Sequence, residues 1–465
     1  MKNFNRLYTT IFFTTSLFFA ACKKNVDTIA IAPPPPSGGG DTTHPLQIND
    51  SILWETRNIY LWNTQIPSGF NAQPYADPAA LMTAIRPYSM EPGFSTPVDK
   101  WSFAMKKTEW DAMSGGLNMV STTTGAGDFG FSVFFRVEGD LRVRLVEPNS
   151  PAGQAGIHRS WKILSINGNN NITTSNANFI VDAVYYSNNS SFIFQKPDGS
   201  SATITLRAGH YSEKPVYLDT VYNYGNKKIG YLVFNSFLGN INSIGAEFQR
   251  VFNRFTSQQV TDVVVDLRYN GGGYVALAEQ LGNYLVKSSG NERLMMTQMY
   301  NTQNSQYNQT INFQKRGSLN LDDIYFIVGR STASASELLI NNLKPYMDVK
   351  LIGASATHGK PVGFFPIPFG DWYIFPVSFK TVNGNGEGNY YNGIPVNASI
   401  ADGLDKDWGD TDEASLASAL RNILSGNYRS DANEPAYRES RSISLGNEKL
   451  DAPSLKITIG TFKRK

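Results

Sequence analysis

The sequence predicts a mixed α/β fold: a largely parallel sheet with helices, carrying an inserted β-rich module and preceded by a small helical cap. Three observations predict it. Between residues 209 and 425, apolar strand patterns alternate with amphipathic helix patterns, and VTDVVVDLR is a near-continuous apolar run of the kind buried on both sheet faces. Between 113 and 208, the short runs FGFSVFFRV, LRVRLVEP, WKILSING, SFIFQKP and SATITLRA alternate or are β-branched, with turn residues between them. Between 46 and 112 the apolar spacing turns helical and aromatic.

A chain of 465 residues is long enough for two or three domains with their own cores. Its formal net charge is +2, from 41 basic and 39 acidic residues, and it shows no long basic stripe with interleaved aromatics, so no nucleic-acid partner is expected. One cysteine excludes an internal disulfide framework and a multi-thiolate zinc site. The four histidines, His44, His158, His210 and His358, stand in unrelated contexts without paired-ligand spacing, so no metal or organic cofactor is expected.

Residues 1–22 have a basic start, an apolar middle and small residues before Cys22, the layout of a secretory signal. Phe19-Ala20-Ala21-Cys22 resembles a bacterial lipobox, which implies acylation of Cys22, attachment to a lipid bilayer and a place in the cell envelope. Residues 23–45 contain APPPPSGGGDTTHP, a stiff then flexible tether. The cap, residues 46–112, opens with SILWETRNIYLW. Helical spacing there puts Ile52, Ile59 and Trp62 on one face and Trp54 with Leu61 on the other, which suggests packing on more than one side. DPAALMTAI opens a second helix with Asp77 as its N-cap.

In residues 113–208, SPAGQAG reads as a short helix with a glycine stop. Ser150-Pro151-Ala152-Gly153-Gln154-Ala155-Gly156-Ile157, followed by Ile163-Leu164-Ser165-Ile166-Asn167-Gly168, resembles the PDZ domains of bacterial proteases. That resemblance implies a peptide-binding loop at Phe129, Gly130 and Phe131, where a peptide adds as a strand and backbone N–H groups capture its carboxylate.

In residues 209–425, two stretches could carry chemistry. Asp266-Leu267-Arg268-Tyr269-Asn270-Gly271-Gly272-Gly273 ends the buried strand and reads equally as a tight turn or as backbone donors for an oxyanion. In STASASELL, Ser334 sits at a helix start and Glu337 three residues on, a capping-box pattern that alone reads as a helix cap. The return strand Val349 to Gly353 leads to Gly359-Lys360, on pattern alone a solvated loop lysine. GASATHGK has one residue too many for a phosphate loop, and Pro361 replaces the hydroxyl that would meet magnesium. The acidic stretch Asp402 to Glu413 has its glycine misplaced for a calcium loop and reads as solvated surface. Helix SLASALRNIL closes the domain, and residues 426–465 read as a polar, loosely attached tail.

DLRYNGGG, then STASASELL with its return strand LIGA, then Gly359-Lys360, in that order behind a PDZ-like module, resemble the C-terminal processing (tail-specific) serine peptidases over roughly residues 46–424. The resemblance implies a ClpP/crotonase-like protease core and a Ser–Lys dyad, with Ser334 as nucleophile and Lys360 as base. It also implies an oxyanion hole from the backbone of Gly272 and Ala335, and a polypeptide substrate. Phe364 stands where many members have a glutamine that orients the lysine, and the serine-to-lysine loop is one residue longer than usual. The reading of another class is a catalytically silent, peptide-binding lipoprotein.

Overall fold

The computed structural model describes residues 45–115, 128–428 and 441–454. The signal segment, Cys22 and the tether lie outside them. Among the described residues no helix is long and apolar enough to cross a membrane.

The cap comprises α1 (Pro45–Ile59), α2 (Pro78–Ile85), β1 (Phe103–Lys106) and α3 (Lys107–Ser114). Asp77 caps α2 by accepting the Ala80 N–H at 2.8 Å. Helix α1 buries Ile52, Leu53 and Thr56 but leaves Trp54 half exposed, so it packs on one side rather than two. The reason is length: α1 ends at Ile59, and Trp62, expected on its buried face, instead lies beyond it, where its indole N–H donates to Glu91.

The inserted module holds β2 (Phe131–Val137), β3 (Asp140–Val146), α4 (Pro151–Gln154), β4 (Lys162–Ile166), α5 (Ala177–Val181), β5 (Asn189–Gln195) and β6 (Ser201–Arg207). Its strands form one antiparallel sheet in the order β2-β3-β4-β5-β6, with β2 on an edge. Phe129 and Phe131 are core side chains, each meeting Phe192 edge to face.

The α/β core follows in chain order. It contains β7 (Val216–Tyr224), β8 (Lys227–Phe234), α6 (Ile241–Ser257), β9 (Asp262–Asp266), α7 (Val275–Leu285), β10 (Leu294–Tyr300), β11 (Gln309–Asn312), β12 (Asp323–Ile327), α8 (Ala335–Leu343) and β13 (Asp348–Gly353). After these come β14 (Val362–Gly363), β15 (Ile367–Phe369), β16 (Trp372–Phe375), β17 (Phe379–Asn383), β18 (Ala398–Ser399) and α9 (Ala414–Ser425). The main sheet runs β18-β13-β12-β9-β8-β7, parallel throughout except for the antiparallel edge strand β7. This is a mixed α/β fold with a largely parallel sheet, as the alternation of patterns predicts.

Burial on both sides explains the apolar run of β9. Val263 and Val265 enter the cluster covered by α6, α7 and α8, while Val264 enters the opposite cluster beneath α9. In α6, Ile244, Phe248, Val251, Phe252 and Phe255 make one apolar face at helical spacing, and Asn240 caps it through the Ser243 N–H. The cap is not separate from this core. Strand β1 pairs with β16, and cap residues such as Ile52, Leu81 and Trp101 share a cluster with Val362, Ile374 and Tyr391.

Two expectations give way to the structure. The acidic stretch is solvated surface only in part: Asp405 and Asp412 are exposed, but at its two ends Glu413 is buried and Asp402 turns inward, both against Arg268. The stretch read as a loose polar tail contains helix α10 (Arg441–Ser454), whose Ile443 and Leu450 enter the core of the inserted module. Two apolar side chains in a polar context are too weak a sequence signal to reveal that docking.

Candidate active site

The chain leaves β12 through a short turn and enters α8 at Ser334. That turn is sewn to the loop following β9. The Thr332 hydroxyl donates to the Leu267 carbonyl at 2.7 Å, the Ala333 N–H to the Asn270 carbonyl at 3.1 Å, and the Ser336 hydroxyl to the same carbonyl at 3.0 Å. The Asn270 side chain in turn donates to the Phe234 carbonyl at the end of β8. Three parallel strand ends therefore hold the serine turn in place.

Held this way, Ser334 has φ +55° and ψ −115°, a left-handed-side conformation that a residue with a Cβ adopts only under constraint. Strained serines at a strand-to-helix turn present their hydroxyl outward from the helix N-terminus, the geometry of a nucleophile elbow. Ser334 is partly exposed, whereas Ser336 is fully buried with its hydroxyl already donated. Of these two serines, Ser334 alone combines access with strain.

Gly272 sits directly against this turn at φ +100°. A Cβ there would lie 2.8 Å from Ser334 Cβ and 2.9 Å from the Ala335 nitrogen, so only glycine fits. The Gly272 N–H donates to Asn270 Oδ1 at 2.9 Å. The Gly272 backbone thus adjoins the serine as expected, but its amide is engaged with a side chain.

Glu337 joins the serine turn to the lysine loop. Its carboxylate is fully buried and accepts four donors: the Thr357 hydroxyl at 2.5 Å, and the backbone N–H groups of Gly359 at 2.6 Å, Lys360 at 2.8 Å and Ser334 at 3.0 Å. Burial raises its pKa above the usual carboxylate value, and these hydrogen bonds offset only part of that rise. The capping-box spacing identifies the bond from Ser334. The bonds from residues 357–360 arise from the return of the chain through β13 and carry no local signal.

Lys360 is buried, and burial lowers its ammonium pKa to about 7 against the opposing pull of the Asp99 and Glu337 carboxylates. Its Nζ lies 4.0 Å from the centre of the Phe364 ring. It is therefore not a solvated loop lysine. The cap supplies part of its enclosure: Asp99 is fixed by Tyr60, Trp101 and Ser102, and the Trp101 indole donates to His358 Nε2 at 3.2 Å. Burial, together with the nearby lysine charge, holds the His358 pKa down at about 4, so the imidazole is neutral at physiological pH.

The base of the site rests on an ion network that sequence reasoning missed. Arg268 is buried between Asp266 and Glu413, with Asp402 alongside, and Asp402 also pairs with Arg159 and Tyr269. Arg159 belongs to the inserted module, and its guanidinium donates to the Tyr269 hydroxyl at 2.9 Å, so the module is tied to the loop that carries Gly272. Phe129, Gly130 and Phe131 lie at the start of β2 in the module and outside the Ser334 turn.

Residues 228–395 match peptidase family S41. Over 270 residues the chain is 24% identical to carboxy-terminal processing protease CtpB of Bacillus subtilis, covering 56% of this chain and 53% of that protein. Over 262 residues it is 28% identical to a carboxyl-terminal-processing protease of Picosynechococcus, covering 54% of this chain and 59% of that protein. The chain thus spans little more than half the length of these relatives. A Bacteroides fragilis crystal structure described as an S41 protease superposes with a TM-score of 0.65 at 23% identity, covering 83% of this chain and 99% of that one, and so shares its fold. The family match spans the stretch from β8 to the loop after β17, which holds Gly272, Ser334, Glu337 and Lys360.

Proposed function

We propose that this chain is a serine endopeptidase that cleaves polypeptides near their C-termini in the cell envelope, using Ser334 as nucleophile and Lys360 as base. The observation that carries the reading is the pairing of a strained, accessible Ser334 with a buried Lys360 whose pKa is lowered to about 7, both backbones bonded to Glu337. A lysine that is half neutral near pH 7 can take a proton, which an ordinary lysine cannot.

The reaction follows from these parts. Lys360 Nζ takes the Ser334 hydroxyl proton as Oγ attacks the substrate carbonyl carbon. The Ala335 N–H, first in α8, faces the developing oxyanion, and the helix N-terminus favours its charge. The lysine ammonium then gives its proton to the departing amine, leaving an acyl-enzyme. Water, deprotonated by the same lysine, releases the acid and restores the serine.

The inserted module serves as a PDZ-like polypeptide-binding element, supported by its edge strand β2 and the loop at Phe129, Gly130 and Phe131. With those two phenylalanine side chains in the core, the loop's backbone is the part that meets a peptide. Envelope placement rests on the lipobox-like segment ending at Cys22.

A second reading, a silent peptide-binding lipoprotein, draws on the engaged Gly272 N–H. Degradation of an unfolded protein separates the two. The wild-type chain cleaves it and Ser334→Ala does not, whereas equal survival of the substrate with both removes the peptidase reading.

A further inference from the structure

Strand β2 is an edge of the module's sheet, and an edge strand presents outward N–H and C=O groups that another chain can pair with. In this structure the neighbour is the chain's own C-terminal helix α10. The Asn447 side chain accepts the Phe135 N–H at 2.8 Å and donates to the Phe135 carbonyl at 3.1 Å. A carboxamide has one donor and one acceptor side by side, so it pairs with the edge as a peptide unit of an added strand would. Ile443 and Leu450, one turn to either side along the helix, are buried with Phe135, Ile172 and Ile180 in the module core. Asp451 pairs with Arg144 on β3. Gly446 permits the close approach: a Cβ there would lie 3.0 Å from Thr174 Cβ.

The helix itself is a poor one. It contains Gly446 and Pro453 in fourteen residues, and a helix of that length is marginal in water without tertiary contacts. Its order therefore comes from docking, and what is held by a few contacts can be exchanged for others. We infer that α10 is a built-in competitor that occupies the peptide-accepting edge of the module, so that an incoming polypeptide must displace it to pair with β2. The inference rests on the module as a polypeptide-binding element and not on Ser334 chemistry.

The test reads binding rather than cleavage, in full-length chain carrying Ser334→Ala and Cys22→Ser. The probe is a fluorescein-labelled peptide of alternating apolar and polar residues with a free C-terminus, followed by fluorescence anisotropy. Asn447→Ala with Asp451→Ala releases the helix while leaving the module's own residues intact. Binding is expected to tighten about tenfold or more, because the fraction of open edge rises. Gly446→Cys with Thr174→Cys places two Cβ atoms near bridging range; oxidised protein is expected to bind the probe far more weakly than the same protein reduced. Equal binding by oxidised and reduced protein overturns the inference, whatever the released variant does, because that comparison is made on one folded molecule. Absence of probe binding in every form overturns it as well. Tight binding without any protease activity in the serine-containing chain leaves it standing and removes the peptidase reading alone.

Discussion

The backbone amides of Ser334 and Lys360 donate to the same oxygen, Oε2 of Glu337, at 3.0 and 2.8 Å. Twenty-six positions apart in sequence, they are held no further from each other than two hydrogen bonds end to end. The buried carboxylate is thus the joint between the helix start and the loop that returns from β13.

Glu337→Gln keeps the shape but turns one acceptor oxygen into an NH2 group facing N–H donors. Leaving buried donors unpaired costs roughly 1–3 kcal/mol each, so urea denaturation is expected to show a loss of about 2–4 kcal/mol. Turnover should fall more than KM rises, since the positions of nucleophile and base move while the substrate contacts do not. A variant as stable and as active as wild type would remove Glu337 from this role.

The lowered pKa of Lys360 sets a pH profile. Phosphonylation of Ser334 by a fluorophosphonate, with loss of fluoride, should rise with pH and reach half its plateau near pH 7, where the amine is half neutral. Stability should move with it. The folded pKa lies below the unfolded one, so the unfolded chain binds more protons between about 7 and 10.5, and stability from this group rises with pH across that window. Lys360→Met should abolish phosphonylation and flatten that rise. A labelling rate that is constant from pH 5 to 9 would contradict a lysine base.

Ser334 holds a strained backbone, and relieving it trades activity for stability. Ser334→Gly should be inactive yet more stable by about 1–2 kcal/mol, because glycine adopts this conformation freely. Ser336→Ala, which removes a buried hydroxyl bond to Asn270, should instead lose about 1 kcal/mol and keep its activity. The paired melts and labelling assays check both; inactivity of Ser336→Ala with activity in Ser334→Ala would reassign the nucleophile.

Gly272→Ala forces a Cβ to within 2.8 Å of Ser334 Cβ, so the loop after β9 must move away from the serine. A loss of at least about a hundredfold in turnover is expected, the scale of losing an oxyanion donor. Single-turnover acylation measures it directly, and an unaffected rate would mean that the loop has no part in the chemistry.

The N-terminal segment offers a test of the envelope reading. Cys22→Ser should abolish incorporation of radiolabelled fatty acid and release the chain from membranes, and retention of both would contradict acylation at Cys22.

By itself the sequence determined what is periodic or local. The run VVV in β9 requires two buried faces, the apolar face of α6 requires a sheet beneath it, and Asp77 and Ser334 mark helix starts within three residues of what they bond. The order of DLRYNGGG, STASASELL and Gly359-Lys360, through its resemblance to the C-terminal processing peptidases, also pointed to the glycine loop, serine and lysine as one candidate site. Only the tertiary structure decided the rest. Lys360 reads as a surface residue until the cap and Phe364 close over it, because a pKa follows from solvent exclusion by residues far away in sequence. Glu337 reads as a helix cap until the return loop brings three more donors to it. Glu413 and Asp402 read as surface acids until Arg268 turns to meet them, and α10 reads as a tail until β2 offers an edge for Asn447. Each of these depends on a partner that no local pattern specifies, and burial of a polar group becomes visible only when its partner is in place.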